Sequence, residues 1–508
     1  VVNGAQAVIR TLVDAGVDVC FANPGTSEMH FVAALDDVPE MRAVLTLFEG
    51  VATGAADGFA RMAGRPAATL LHLGPGFGNG WANLHNARRG RAPVVVVVGD
   101  HALAHKRLDA PLESDLDALA GAVGWVRRSL TPGTVGDDVA DAVGAATRGQ
   151  VATLVLPADV SWSSGASPGV APRPRARPQV PDPTALAHTL DAGTVLFLGG
   201  DALTADALLA AARVAAGTGA RLMAETFPAR MARGAGLPDV PKLPYPPGPA
   251  LAALEGVRQL VLVGAPAPVA FFAYPDVPGS FVPEGCRVDV LTEPGESALA
   301  ALAALAEAVG ADPVLAEAAV PAVPDAPLDA RVLADVVAAV LPERAVLVDE
   351  SLTSGFALFP ATAGSPRHDV LSLTGGAIGD GLPMAVGAAV ACPDRPVLAV
   401  QADGSAMYTL QALWTMAREQ LDVTVLVCDN GAYAILAGEL ENVGAAAGGE
   451  RAGRLLDLGS PSLDFVALAA GMGVPGVRVT TGPELAGALR TAFAEPGPHV
   501  VDAVLPRP

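Results

Sequence analysis

Lysine is almost missing from this chain: 508 residues contain two, Lys106 and Lys242. Neither follows a glycine-rich loop, so a P-loop is excluded. Positive charge as a whole is scarce. Lys and Arg total 32 against 53 Asp and Glu, a formal net charge of −21. A nucleic-acid surface needs basic patches to displace counterions and is not expected. The four cysteines, Cys20, Cys286, Cys392 and Cys428, are far apart and form no CxxC. They read as buried thiols, with neither a zinc site nor a disulfide framework indicated. No apolar run approaches the ~18 residues a membrane helix needs. The most hydrophobic stretch, APVVVVVGD (92–100), is short and β-branched, as in a buried parallel strand. The N-terminal VVNGAQAVIRTLVDAGV has helical periodicity without a basic n-region or cleavage-site pattern, so no signal peptide is expected. A soluble cytoplasmic protein follows from these readings, with neither membrane nor nucleic acid as a partner.

What is present is alternation. The length suggests roughly three domains. SSGASPGVAPRPRARPQVPDP (163–183) and AVPAVPDAPLDA (319–330) read as linkers and divide the chain into 1–162, 184–318 and 331–508. Each part alternates short apolar runs with Ala/Leu-rich helical stretches, the βαβ signature, so the expected fold is α/β, three doubly wound parallel-sheet domains.

In the last third, VLAVQAD and VTVLVCDN read as strands, and the intervening YTLQALWTMARE has helical spacing, with Leu410, Leu413 and Met416 on one face. In a right-handed βαβ unit both strands end on one crevice, so Asp403 and Asn430 lie close although 27 positions apart. A carboxylate, an amide oxygen and a loop carbonyl suit Mg²⁺ or Ca²⁺. Gly404 and Ser405 open the helix, whose N-terminal amides favour a phosphate. Two ordinary turns after strands are the plain alternative. In the first third, LTLFEG (45–50) places Glu49 at the end of an apolar strand, followed by a helix of small residues. A carboxyl there should be partly desolvated and useful in acid–base work; a helix cap is the simpler role.

Taken together, NPGTSE (23–28), Glu49 with its Gly/Ala helix, HLGPGFGN (72–79), LTGGAIGDGLPMAVGAA (373–389) and the Asp403/Asn430 pair resemble the thiamine diphosphate (ThDP) enzymes of the acetolactate synthase, benzoylformate decarboxylase and pyruvate decarboxylase group. The resemblance covers nearly the full chain. It implies pyrimidine-binding, middle and diphosphate-binding domains in that order. It implies Mg²⁺ held by Asp403, Asn430 and the Ala432 carbonyl, and a diphosphate on Gly404 and Ser405. Ile378 would be the wedge under the cofactor and the Gly376 carbonyl a partner of its aminopyrimidine. Asn23, Pro24, Gly25, Thr353 and Tyr433 would complete the cofactor site. Glu49 would contact the pyrimidine N1′ from the partner subunit, making a homodimer or homotetramer. The family chemistry adds a C2 ylide to a 2-oxo acid, releases CO₂, and protonates or carboligates the resulting enamine.

Catalytic roles implied for this chain are Glu49, His72 as a proton relay, and Asn79; a structural histidine is the plainer reading of His72. Thr26, Phe272, Ile435 and Leu436 are the candidate substrate-pocket residues. Phe272 stands about where benzoylformate decarboxylase has a second active-site histidine, which puts efficient aldehyde release in doubt. A Gln-Trp pair usual in biosynthetic acetolactate synthase is missing after the metal loop, and 184–318 shows no flavin motif. FAD is therefore not expected, although an acetolactate-forming enzyme with or without it is the nearest alternative. A silent ThDP-binding scaffold is another. GPGFGNG does not match GxGxxG, because Trp81 stands where the third glycine is needed.

Overall fold

The computed structural model describes residues 2–170, 183–309, 311–445 and 449–507. The expected linker 163–183 therefore lies mostly outside the described residues. Its first part does not hang free: Gly4 N donates to Ser163 O at 3.1 Å and Gly165 N to Val2 O at 3.1 Å.

Seventeen strands are present among the described residues. The first six are β1 Val19–Ala22, β2 Arg42–Leu45, β3 Ala67–His72, β4 Val94–Asp100, β5 Trp125–Arg128 and β6 Val151–Pro157. They are followed by β7 Thr194–Leu198, β8 Arg221–Ala224, β9 Met231–Arg233, β10 Gln259–Val263 and β11 Arg287–Thr292. The last are β12 Val346–Glu350, β13 His368–Ser372, β14 Val397–Ala402, β15 Val423–Asp429, β16 Gly476–Val479 and β17 His499–Val504. The first sheet runs β2-β1-β3-β4-β6-β5 and the middle sheet β8-β7-β10-β11. The third runs β13-β12-β14-β15-β17-β16, with β9 added outside β13. Every pairing between named strands is parallel except β9 on β13. The central strands β4 and β6 are buried along their whole length, which is why their sequences run apolar without alternation.

The two outer sheets share one order: second, first, third, fourth, sixth, fifth. Each reverses direction between its first and third strands. The C-terminal ends of β1 and β3, and of β12 and β14, therefore frame equivalent crevices, where open α/β sheets bind ligands. In the first sheet this edge carries Asn23-Pro24-Gly25 and His72. In the third it carries Thr353 and Asp403.

Helices α1 Glu49–Ala63 and α2 Leu73–Arg89 pack on the first sheet; α3 Gly381–Ala391, α4 Asp403–Ala406, α5 Ala412–Glu419 and α6 Ala434–Asn442 belong to the third. One continuous core unites Val51, Phe59 and Leu84 with Leu382, Met384 and Leu413. At its centre α1 crosses α3 through Gly58 and Gly387, where an added β-carbon would strike the Met384 and Ala55 carbonyls. Beside this crossing Arg61 pairs with Asp57 through Nε (2.7 Å) and Nη2 (2.6 Å), and its Nη1 donates to Ser372 O at 2.7 Å and Ala229 O at 3.2 Å. One guanidinium thus ties together segments from all three parts of the chain.

Two local expectations need revision. Glu49 does not end a strand: β2 stops at Leu45 and Glu49 is the first residue of α1. The helix expected over YTLQALWTMARE is interrupted, because α4 covers only Asp403–Ala406 and α5 begins at Ala412. Between them the Thr409 hydroxyl donates to Gly379 O at 2.9 Å, turning the chain toward α3. The glycine-rich GPGFGNG is helical, lying inside α2. Its glycines admit close neighbours that a side chain would displace: a β-carbon at Gly80 would come 2.8 Å from Thr53 Cγ2 of α1. No described helix is long and apolar enough to cross a membrane.

Candidate active site

In the first sheet the turn after β1 and the end of β3 are cross-linked. Glu28 is buried, and its Oε2 accepts from Gly25 N at 2.8 Å and lies 2.8 Å from His72 Nδ1. Burial pushes the Glu28 carboxyl up, with His72 and the Gly25 amide opposing the shift. Ser27 Oγ is 3.4 Å from the same His72 nitrogen. His72 therefore has its Nδ1 engaged and presents Nε2. The sequence reading missed Glu28, although NPGTSE ends on it; the signal was a carboxylate in an otherwise small, neutral turn. Asn23 N donates to Leu70 O at 3.2 Å, setting this turn beside β3. Thr26 is exposed at the start of the following helical turn.

Glu49 is buried at the N-terminus of α1, and Asn79 Nδ2 of α2 donates to its Oε2 at 3.0 Å. The other oxygen, Oε1, lies over Gly76, where a β-carbon would be 3.1 Å away, with His72 Cβ 3.3 Å from the same point. Asn79 thus serves Glu49, while His72 is partnered by Glu28. The turns that carry these residues are strained. Leu47 (φ 57°) lies two residues before Glu49, Leu73 (φ 52°) follows His72, and Leu352 (φ 51°) precedes Thr353. Left-handed leucines are costly and gather where surrounding structure enforces them, as at ligand sites.

In the third sheet a cleft opens at the crevice between β12 and β14. Thr353, Asp403, Gly404, Ser405, Asn430 and Ala432 line it, with Tyr433 and Ile435 at its side. Asp403 is buried; its Oδ1 accepts from Gly404 N at 2.7 Å and its Oδ2 from Gly431 N at 2.8 Å. Burial raises the Asp403 carboxyl and these amides lower it. Asn430 Oδ1 accepts from Ala432 N at 3.0 Å, and Gln401 Nε2 holds Ser405 Oγ at 2.5 Å.

Gly376 has φ 75° and lies beneath an aromatic ring of the middle segment: a β-carbon there would be 2.7 Å from Phe271 Cζ. Phe271, rather than Phe272, makes this approach. It packs edge-on against Phe227 and Tyr245, both with centroids 5.6 Å away, and against Phe272 at 5.5 Å. Tyr245 and Tyr274 place their hydroxyls on the two oxygens of Glu439 of α6, at 3.4 and 3.1 Å. Ile378 is half-buried. Leu436 is exposed on α6 and outside the lining of the cleft.

An α/β chain whose two outer sheets present equivalent crevices, one with a buried glutamate and one with Asp403 and Asn430 at the ends of neighbouring strands, has the layout of an open-sheet ligand-binding fold. Residues 2–120 match the thiamine pyrophosphate enzyme N-terminal TPP binding domain, and residues 354–503 the C-terminal TPP binding domain. The chain belongs to the thiamine pyrophosphate (thiamine diphosphate) enzymes. It is 60% identical over 511 residues, covering 99% of both chains, to a Mycobacterium tuberculosis protein named "Putative acetolactate synthase large subunit IlvX". It is 32% identical to the benzoylformate decarboxylase of Pseudomonas aeruginosa, covering 96% of each. The solved thiamine diphosphate-dependent 4-hydroxybenzoylformate decarboxylase of Rhodococcus jostii RHA1 superposes with a TM-score of 0.83 at 25% identity, covering 100% of both chains.

Proposed function

We propose that this chain is a cytoplasmic, ThDP- and Mg²⁺-dependent enzyme that decarboxylates or carboligates a 2-oxo acid bearing an apolar or aromatic side chain. The observation that carries the reading is the pairing of equivalent crevices, Glu49 with Asn79 at one and Asp403 with Asn430 at the other. The donor set fits the cation. The Asp403 carboxylate is buried with only backbone amides as partners, so burial leaves its charge for a cation to neutralise. Asp403, Asn430 and the Ala432 carbonyl would hold Mg²⁺, and Gly404 and Ser405 the diphosphate. When bound, ThDP supplies an electron sink for the carbon that loses CO₂.

The chain's own residues orient and move protons. Asn79 holds Glu49 Oε2, leaving Oε1 to hold a proton toward the cofactor ring. Glu28 anchors His72 Nδ1, so Nε2 is the nitrogen that exchanges a proton with the substrate. Phe271 over Gly376, with Phe272 beside it, and Ile435 in the lining of the cleft would wall off water around the acyl group. The cleft is lined by third-segment residues alone, and Glu49 is held by first-segment residues. This separation supports a dimer in which Glu49 of one chain completes the cleft of its partner.

Calorimetric titration of the protein with ThDP, with and without Mg²⁺, followed by a 2-oxo acid screen with product mass spectrometry, tests the reading. Metal-dependent binding and CO₂ release from an aryl or branched 2-oxo acid are expected. Lack of ThDP binding would overturn it. The 60% identity to a chain named for acetolactate synthase favours a second reading, carboligation of pyruvate to acetolactate. An acetolactate assay together with an absorbance scan for flavin decides between them.

A further inference from the structure

Loop 374–380 joins β13 to α3 and carries Gly376 and Ile378. Side chains take its backbone groups at alternate residues. His85 Nε2 is 3.2 Å from Gly375 O. Asn86 grips both sides of Ala377, with Nδ2 donating to Ala377 O at 2.8 Å and Oδ1 accepting from Ala377 N at 3.2 Å. Asn83 Nδ2 donates to Gly379 O at 3.2 Å, and Glu350 Oε1 accepts from Gly379 N at 2.6 Å. Gly376 and Ile378, the two residues between these grips, have no backbone hydrogen bond among the described residues.

The two asparagines are buried on α2 and saturate each other. Asn86 Nδ2 also donates to Asn83 Oδ1 at 3.2 Å, and Asn83 Nδ2 also donates to Gly50 O at 2.9 Å. Both protons of each amide nitrogen are thus spoken for, which fixes the orientation of both groups and admits no carboxylate in their place. The pair runs from Gly50, the neighbour of Glu49, to the loop bearing Gly376 and Ile378.

We propose that Asn86, backed by Asn83, is a positioning residue: it presents the free peptide groups of Gly376 and Ile378 to the aminopyrimidine half of the cofactor and holds them in register with the peptide that follows Glu49. The inference rests on the ThDP reading of the site. In the proposed dimer Glu49 serves the partner's cofactor, so this pair would connect one chain's acid to its own chain's cofactor loop.

The diphosphate half of the cofactor would sit in the Asp403 cleft, which touches neither asparagine. That separation supplies the test. Asn86→Asp, in the full-length protein with Mg²⁺, should weaken ThDP binding by roughly 10–100-fold, the usual effect of losing a supporting hydrogen-bond shell. It should also slow H/D exchange at C2 of bound ThDP, while the affinity for Mg²⁺–pyrophosphate stays that of the parent. Asn86→Ser, which cannot reach both sides of the Ala377 peptide, serves if the aspartate variant does not fold. Unchanged ThDP affinity and C2 exchange, or a parallel loss of pyrophosphate binding, would overturn the proposal. Failure of the parent itself to bind ThDP would count against the ThDP reading instead.

Discussion

Three buried carboxyls, Asp57, Asp380 and Glu350, gather where α1 meets α3, and the one buried cation there, Arg61, pairs with Asp57. Burial, reinforced by Asp57, pushes the Asp380 carboxyl well above its ordinary 3.8. A carboxyl whose pKa rises on folding contributes its full stability below the unfolded value, and that contribution fades as pH climbs through the folded one. Asp380→Asn cannot ionise, so the variant should melt higher than the parent at about pH 8, with the difference closing toward about pH 4. Parallel melting midpoints across that range would refute the assignment. If Glu49 acts as proposed, Glu49→Gln should keep ThDP binding and lose roughly 10²–10⁴ in turnover. Steady-state kinetics beside a binding titration would show it, and near-normal turnover would remove Glu49 from the chemistry. At this scale Glu49, Asp403 and Asn430 could be picked out from the sequence because an isolated acid or amide beside small residues stands out. Glu28 carried the same signal and was overlooked; Asn83 and Asn86 could not be picked out, since their meaning lies in partners up to 296 positions away.

Among elements, the strands rich in Val and Leu and bounded by Gly, Asp or Asn were legible, because burial on both faces demands a continuous apolar run. The short strands β5 and β16 were not: they lie at sheet edges with mixed exposure and carry no such run, and the edge strand β2 lies largely before the apolar LTLF expected there. The glycines of α2 sit inside a helix for a physical reason. Glycine disfavours a helix by propensity, yet here helix packing so close that a side chain would be displaced overrides propensity. The same close packing governs the α1–α3 crossing. Gly387→Ala would drive a methyl into the Ala55 carbonyl and the Phe59 amide, neither of which can rotate away. A loss of about 1–3 kcal/mol is expected, the usual cost of overpacking, read as a lower urea midpoint; an unchanged midpoint would mean the helices separate freely.

On the scale of the molecule, the likeness of the outer sheets lies in strand order and crevice position. If Glu49 serves the partner's cleft, mixing two inactive variants restores function. A dimer of one Glu49→Gln chain and one Asp403→Asn chain contains one intact crevice pair. Refolding equal amounts together should therefore recover about a quarter of parental activity by random C2 pairing. Sites built within one chain would stay dead in the mixture, and size-exclusion profiles would confirm that pairing took place.

The sequence by itself determined the α/β class, the places of most strands, and the acid–amide turn that ends β14 and β15. Each of these depends on near neighbours: apolar runs, turn residues, and a βαβ hand that admits one arrangement. Tertiary structure alone decided that His72 belongs to Glu28, that Asn79 holds Glu49, that Phe271 lies on Gly376, and that two asparagines on α2 grip the loop of the opposite sheet. Those contacts join segments whose separation along the chain carries no periodic signal. They are set by how closely helices can approach and by the need to satisfy every buried polar group.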